Sequence, residues 1–158
     1  MLRRYVESGA YTDCYMTELH GTVTHADFVA AFYTTWVFKL ERLVLRFIVA
    51  RPSTDAQAGQ LARAETDTFA AWEVEARAEG QLLLTDILGR TRSWLMTAPT
   101  ATGDGTRLYF GSAVVAVPSA RRGIPARALA FRLLLAFHKR YSVILLAAAR
   151  RRLRARQG

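Results

Sequence analysis

The sequence predicts an α+β domain with an N-terminal strand and helical segment, an antiparallel β-sheet and a long C-terminal helix. Three observations predict it. Alternation with period two from Phe69 to Ala78 is followed by three further strand-like runs, joined by links too short for crossover helices. An apolar repeat of three and four runs from Ala126 to Ala148. A second such repeat starts at Phe28, ahead of the sheet. The 158 residues fit one domain, and 51% hydrophobic against 22% charged residues excludes a disordered chain.

Taken in order, Tyr11 to His20 mixes Tyr, Thr, Cys, Met and Leu with polar residues and ends in His20-Gly21, as a strand closing in a turn does. Thr24-His25-Ala26-Asp27 reads as a capping box, with the Thr oxygen accepting from the amide three residues on and the acid at the positive helix end. Phe28, Phe32, Trp36, Leu40, Leu43 and Phe47 then share one helical face, and Lys39, Arg42 and Arg46 another. One long helix or two short ones fit, with Thr34-Thr35 as the place for a break. Arg51-Pro52-Ser53 ends the run, because the residue before proline avoids the helical region. Residues 53–67 read as a short helix within a loop.

In Phe69 to Ala78, Ala70, Trp72, Val74 and Ala76 alternate with Ala71, Glu73, Glu75 and Arg77, giving one dry face and one wet face. Gly80 supplies a turn, Gln81 to Leu88 and Thr91 to Ala98 form two strands around Gly89-Arg90, and Thr106 to Val117 forms another. Gly123-Ile124-Pro125 opens the last helix, whose stripe is Ala126, Ala130, Leu133, Phe137, Tyr141, Ile144 and Ala148. No repeat or linker divides the chain, so residues 1–158 read as a single domain, with a globular body over 5–149 and a basic tail over 150–158.

Twenty Arg and two Lys oppose thirteen acids, for a net charge of +9. Arg3, Arg4 and the five Arg of residues 150–158 supply seven of those charges, so residues 5–149 carry only +2. A nearly neutral body without a second basic stripe argues against specific nucleic-acid binding. The single Cys14 cannot form an internal disulfide and fits a reducing, cytoplasmic setting. Three histidines without partners at ligand spacing exclude a structural zinc site, and no nucleotide loop or activated nucleophile is readable, so no metal and no cofactor is implied. Glu7 and Asp13 precede any cleavage-like site, so no secretory signal is expected. Arg132, His138, Lys139 and Arg140 cut the apolar stretch Ala128 to Ala149 into pieces of half a membrane span.

The segments Phe28-Val29-Ala30-Ala31-Phe32-Tyr33-Thr34-Thr35, Phe38-Lys39-Leu40-Glu41-Arg42, Arg51-Pro52-Ser53-Thr54-Asp55, Phe69-Ala70-Ala71-Trp72, Gly89-Arg90-Thr91-Arg92-Ser93-Trp94-Leu95-Met96 and Leu108-Tyr109-Phe110-Gly111-Ser112-Ala113-Val114-Val115 together resemble an uncharacterised family of short bacterial proteins. The resemblance spans most of residues 11–153. It implies an architecture similar to the helix-grip fold of the START and Bet v 1-like (SRPBCC) superfamily, in which a curved antiparallel sheet wraps a long C-terminal helix around a cavity. Five strands are legible; residues 54–68 conceal another, or the sheet is reduced. The resemblance carries no catalytic residues.

Asp86 falls with Leu82, Leu84 and Leu88 by period two, where desolvation would make it an acid, a base or a ligand-orienting group; the competing reading is a strand-end residue turned to solvent or paired with arginine. Arg90 and Arg92 share a strand face with Trp94 and suit a carboxylate or phosphate beside an apolar wall, or else pair with Glu73 or Glu75 across the sheet. His138 lies near the last helix's stripe, three residues before Tyr141, and reads either as looking into a cavity or as a boundary histidine. Trp36, Trp72, Trp94, Tyr109, Phe137 and Tyr141 line a pocket or simply pack the core. Arg150, Arg151, Arg152, Arg154 and Arg156 meet anionic lipid, or serve as cations at a frayed helix end. Phe131, Leu135 and Leu146 on the helix's mixed side suit a homodimer contact, or a sheet that wraps more than one face of the helix.

The expectation is binding of a small, mostly apolar and, through Arg90 and Arg92, anionic ligand between sheet and helix. The alternatives are a cyclase- or hydrolase-like enzyme using Asp86 and His138 in the same cavity, which requires the two to be close, and a peripheral membrane or partner-binding module using the Arg-rich tail.

Overall fold

The computed structural model describes residues 1–40, 42, 53–115 and 125–157, with residues 125–137 as backbone alone. Six strands, β1 (Tyr11–His20), β2 (Thr68–Phe69), β3 (Trp72–Ala78), β4 (Gln81–Asp86), β5 (Thr91–Pro99) and β6 (Gly105–Val114), pair antiparallel in the order β1-β6-β5-β4-β3-β2. The helices are α1 (Arg3–Glu7), α2 (His25–Tyr33), α3 (Asp55–Ala62) and α4 (Pro125–Gln157). This is the expected α+β architecture, and it is compatible with a helix-grip arrangement. The sixth strand is the two-residue β2, at the end of the segment 54–68, and the short helix read there is α3, closed by a capping box between Thr54 and Gln57.

One face of the sheet is covered by helices. α4 lies over β1 and β6, while α2 packs on α3, α4 and β5. Phe28, Phe32, Tyr33, Leu61, Leu82, Leu84, Leu95 and Leu108 are almost wholly buried between the layers, each worth about 1.5–3 kcal/mol of transfer energy. Phe32 meets Phe110 at 4.7 Å between ring centroids and Tyr33 meets Phe38 at 4.8 Å, so α2 fills this part of the sheet–helix space.

The break at Thr34-Thr35 is present and rotates the apolar face. Thr34 Oγ1 donates to the Ala30 carbonyl at 2.7 Å, and Thr35 Oγ1 accepts from the Phe38 amide at 3.2 Å, so residues 36–40 start a new helical turn. Val37 and Phe38 are consequently buried, whereas Trp36 and Leu40, expected on the dry face, are 70% and 57% exposed. The C-terminal helix turns likewise. It buries Leu145, Leu146, Ala149 and Leu153, so Leu146 packs in the chain's own core and is not available to a dimer contact, while Ile144 of the expected stripe is 49% exposed. Leu145 and Leu146 are as apolar as Ile144, so periodicity alone did not select the face. Leu43, Arg46, Phe47, Arg51, Pro52, Val117, Gly123 and Ile124, and the side chains of Ala126, Ala130, Phe131, Leu133, Leu135 and Phe137, lie outside the described residues.

The strand β3 also departs from strict alternation. A register shift between Val74 and Ala76 places Ala76 opposite Leu83 and Arg77 opposite Leu82, on opposite faces from those expected. Arg77 then donates to the carbonyls of Leu61 and Thr66 at 3.2 and 2.8 Å and ties the end of α3 to the sheet.

The reverse face of the sheet carries α1. Leu2 seats on Leu83 and Ala113, with Trp94 and Ala76 beside them. Gly111 makes room for it, since a Cβ there would stand 2.6 Å from Leu2 Cδ1. Among the described residues no helix is long and apolar enough to cross a membrane.

Candidate functional site

The side chains singled out in the sequence are scattered over the molecule, and three places hold polar clusters. Arg92, Trp94 and Tyr109 lie on the reverse face, away from α4. Arg92 Nε donates to the Tyr5 hydroxyl at 2.7 Å and is ion-paired with Glu75, which also meets Arg4. Its side chain is only 14% exposed, so its charge is already spent inside the fold. Trp94 Nε1 donates to Gln81 Oε1 at 3.1 Å, and its ring tilts against Tyr109 at 6.4 Å. Arg90 sits exposed in the β4–β5 turn. Asp86 closes that turn, Oδ1 accepting from the amides of Arg90 and Thr91 at 2.6 and 3.3 Å. Trp72 and Tyr141, by contrast, pack against the core on the helix side.

A second place is a part-buried polar chain, centred on the buried Ser112, where α4 crosses β6 and β1. Period two puts Tyr11, Asp13 and Tyr15 on one face of β1, and the register sets Asp13 opposite Ser112, which is itself opposite Ser93. Ser112 Oγ donates to Asp13 Oδ1 at 2.5 Å and lies 2.7 Å from His138 Nε2. The hydroxyl has one proton, directed to the carboxylate, so the contact with His138 is completed by an imidazole N–H donating to Ser112. Tyr11 and Tyr15 donate to Asp13 Oδ2 at 3.2 and 3.4 Å. Ser142, one helical turn on, donates to the His138 carbonyl at 2.9 Å. Burial, with Asp13's charge and hydrogen bond behind it, pushes the Tyr11 phenol up to about 12, and the Tyr15 phenol is raised for the same reasons.

The residues Ser, His and Asp here differ from a hydrolytic triad in their order. The carboxylate holds the serine and not the imidazole, so nothing draws the serine proton toward His138. Ser112 is 2% exposed, which keeps a substrate carbonyl from its oxygen. The chain therefore fastens α4 to the sheet. Asp86 takes no part: it ends β4, with β5 between it and the strand that meets His138. Asp13 and Ser112 were missed in the sequence, where only the shared period of Tyr11, Asp13 and Tyr15 hinted at them.

The third place is a cleft of ≈ 510 Å³ between the turn that begins at Thr35 and the C-terminal half of α4, lined by Thr35, Trp36, Ala148, Arg151, Arg152, Ala155 and Arg156. The helical spacing explains it. Ala148, Arg151, Arg152 and Ala155 fall on one side of α4, where two alanines leave room and two guanidinium groups frame it. Opposite them stands the indole of Trp36, exposed because the Thr34-Thr35 break turned it out of the core. Among the described residues Arg151, Arg152, Arg154 and Arg156 meet no carboxylate. Arg152 Nε is buried without a hydrogen-bond partner; the other such atoms, Arg42 Nε, Ser53 Oγ and Trp72 Nε1, do not line the cleft. Arg150 is engaged elsewhere, donating to the Glu18 carbonyl at 3.1 Å, and Gln157 donates to that of His20 at 3.2 Å, so α4 also covers the free edge of β1.

The histidines of the first turn are apart from all three places. His25 lies 3.3 Å from the Leu95 carbonyl with its pKa lowered, chiefly by burial, and His20 is exposed beside Asp104. Among the described residues no group of three His, Cys, Asp or Glu side chains stands close enough to hold a metal ion. No protein-family model and no curated protein matches the chain.

Proposed function

We propose that this chain is a helix-grip-like binding domain for an anionic, partly apolar ligand, and that the ligand lies in the cleft between Trp36 and the arginines of α4. The observation that carries the reading is the juxtaposition in one cleft of an exposed indole and three guanidinium side chains that meet no carboxylate among the described residues, one of them with an unmet buried donor. Guanidinium groups suit phosphate and carboxylate oxygens through paired hydrogen bonds, and an indole offers an apolar wall for the attached carbon chain. The cleft is preferred to the space between sheet and helix because the aromatic side chains of α2 fill the part of the latter that they face. Arg90 and Arg92, the residues expected to orient an anion, lie elsewhere, and Arg92 is committed to Glu75. A reducing, cytoplasmic setting belongs to the same reading and fits the lone Cys14.

The test is a calorimetric titration with octyl phosphate below its micellar concentration, with octyl glucoside as the uncharged control. Saturable binding of the phosphate alone, weakened about tenfold by Arg152→Ala, is the expected result. Equal binding of both amphiphiles, or phosphate binding indifferent to Arg151→Ala, Arg152→Ala and Arg156→Ala together, would sink the reading.

A further inference from the structure

We infer that the anion recognised by this cleft is the phosphate of an anionic phospholipid still in its bilayer, so that this end of the molecule docks on a negatively charged membrane surface. The inference rests on the cleft being an anion site and states what the anion is attached to.

Three features point to a surface in preference to a free metabolite. The first is the apolar rim. Trp36 and Leu40 are one helical turn apart and 70% and 57% exposed, and Ile144, 49% exposed, stands one turn before Ala148 of the cleft wall. An exposed indole in a cationic cleft, with exposed apolar side chains one turn away along each of the two helical segments that form it, suits a headgroup layer, where an indole sits with its ring toward the acyl boundary and its N–H toward water. The second is charge. Residues 150–158 hold five arginines and no acid, and four of the five are without a carboxylate partner among the described residues, whereas residues 5–149 carry only +2. The positive potential is thus concentrated at one end, as attraction to an anionic leaflet requires. The third is the way α4 is held. His138 is fastened to Ser112 near the helix middle, and Arg150 and Gln157 reach the β1 edge toward its C-terminal end, so the arginines are presented on a helix fixed to the sheet. A nucleic acid would use the same charges, but the apolar rim gives a phosphodiester backbone nothing to bind and residues 5–149 add a net charge of only +2.

The experiment is flotation of the full chain with vesicles of phosphatidylglycerol and phosphatidylcholine in equal parts, against phosphatidylcholine alone. The expected result is binding to the mixed vesicles only, weakened about tenfold both by Arg151→Ala with Arg152→Ala and by Trp36→Ala with Leu40→Ser. Each variant's urea midpoint is measured alongside, so that lost binding is not mistaken for unfolding. Octyl phosphate binding without vesicle binding would overturn the membrane inference and leave the proposed function standing; absence of both would remove the two together. Vesicle binding that survives both pairs of substitutions would move the contact off the cleft. Tighter binding to a single-stranded oligonucleotide than to vesicles, lost in Trp36→Ala, would assign the cleft to nucleic acid.

Discussion

The two halves of the C-terminal helix carry polar groups in opposite states. Near its middle, His138 and Ser142 join Ser112, Asp13, Tyr11 and Tyr15 in a chain whose members answer one another. Near its end, Arg151, Arg152 and Arg156 face a cleft with no carboxylate among the described residues to answer them. A satisfied buried network contributes to the fold and is costly to disturb. An unanswered donor beside an exposed indole contributes little to the fold and is available to a ligand. The contrast separates residues that look equally functional in the sequence.

If the contrast is right, substitutions in the first group should act on stability and those in the second on binding. Asp13→Ala removes the acceptor of three hydroxyl groups at once, and a loss of about 3 kcal/mol in urea unfolding is expected. A loss below about 0.5 kcal/mol would mean that the chain is incidental. Arg92→Ala breaks a half-buried ion pair but leaves Glu75 its contacts with Arg4 and Tyr5, so a smaller loss of about 1–2 kcal/mol is expected, with octyl phosphate binding unchanged. Weakened phosphate binding in a folded Arg92→Ala protein would return the site to the reverse face of the sheet.

The titration of Tyr11 adds a pH signature to the first group. Its folded pKa of about 12 lies above that of a free phenol, so the folded state holds its proton more firmly than the unfolded chain. That contribution is fully present below about pH 10 and is lost as the pH rises through about 12. Stability measured by urea unfolding at alkaline pH should fall across that window, and Tyr11→Phe should flatten the fall; an unchanged slope in Tyr11→Phe would detach the phenol from the network. Smallest of all, Arg152→Ala should change the unfolding free energy by no more than about 0.5 kcal/mol while weakening the anion.

Much of the fold was legible because it rests on local signals. The alternation at the start of β3, the turn residues Gly80 and Gly89, the N-cap at Thr24, whose oxygen accepts from the Asp27 amide, and the break at Thr34-Thr35 each act within a few residues. What was not legible depended on how the pieces meet. The bulge at Val74/Ala76 moved Arg77 to the helix side, and the helical break turned Trp36 outward; neither shift changes the period of the residues around it. Arg92 and Glu75 were correctly seen as able to pair, but the competitor for Arg92, the Tyr5 hydroxyl, comes from α1, 87 positions away. The cleft joins Trp36 to Arg151 and Arg152 across more than a hundred residues of sequence. His138 was noticed and its partners were not, since Ser112 and Asp13 reach it only through the β1–β6 register.

The measurement that bears most directly on the unanswered end of the helix is a backbone amide chemical-shift map of the isotopically labelled protein during titration with octyl phosphate. Saturable shifts concentrated at Thr35, Trp36, Ala148, Arg151, Arg152 and Ala155 are the predicted result. Shifts concentrated at Arg92, Trp94 and Tyr109, or none at any concentration below micelle formation, would contradict the assignment of the ligand to the cleft.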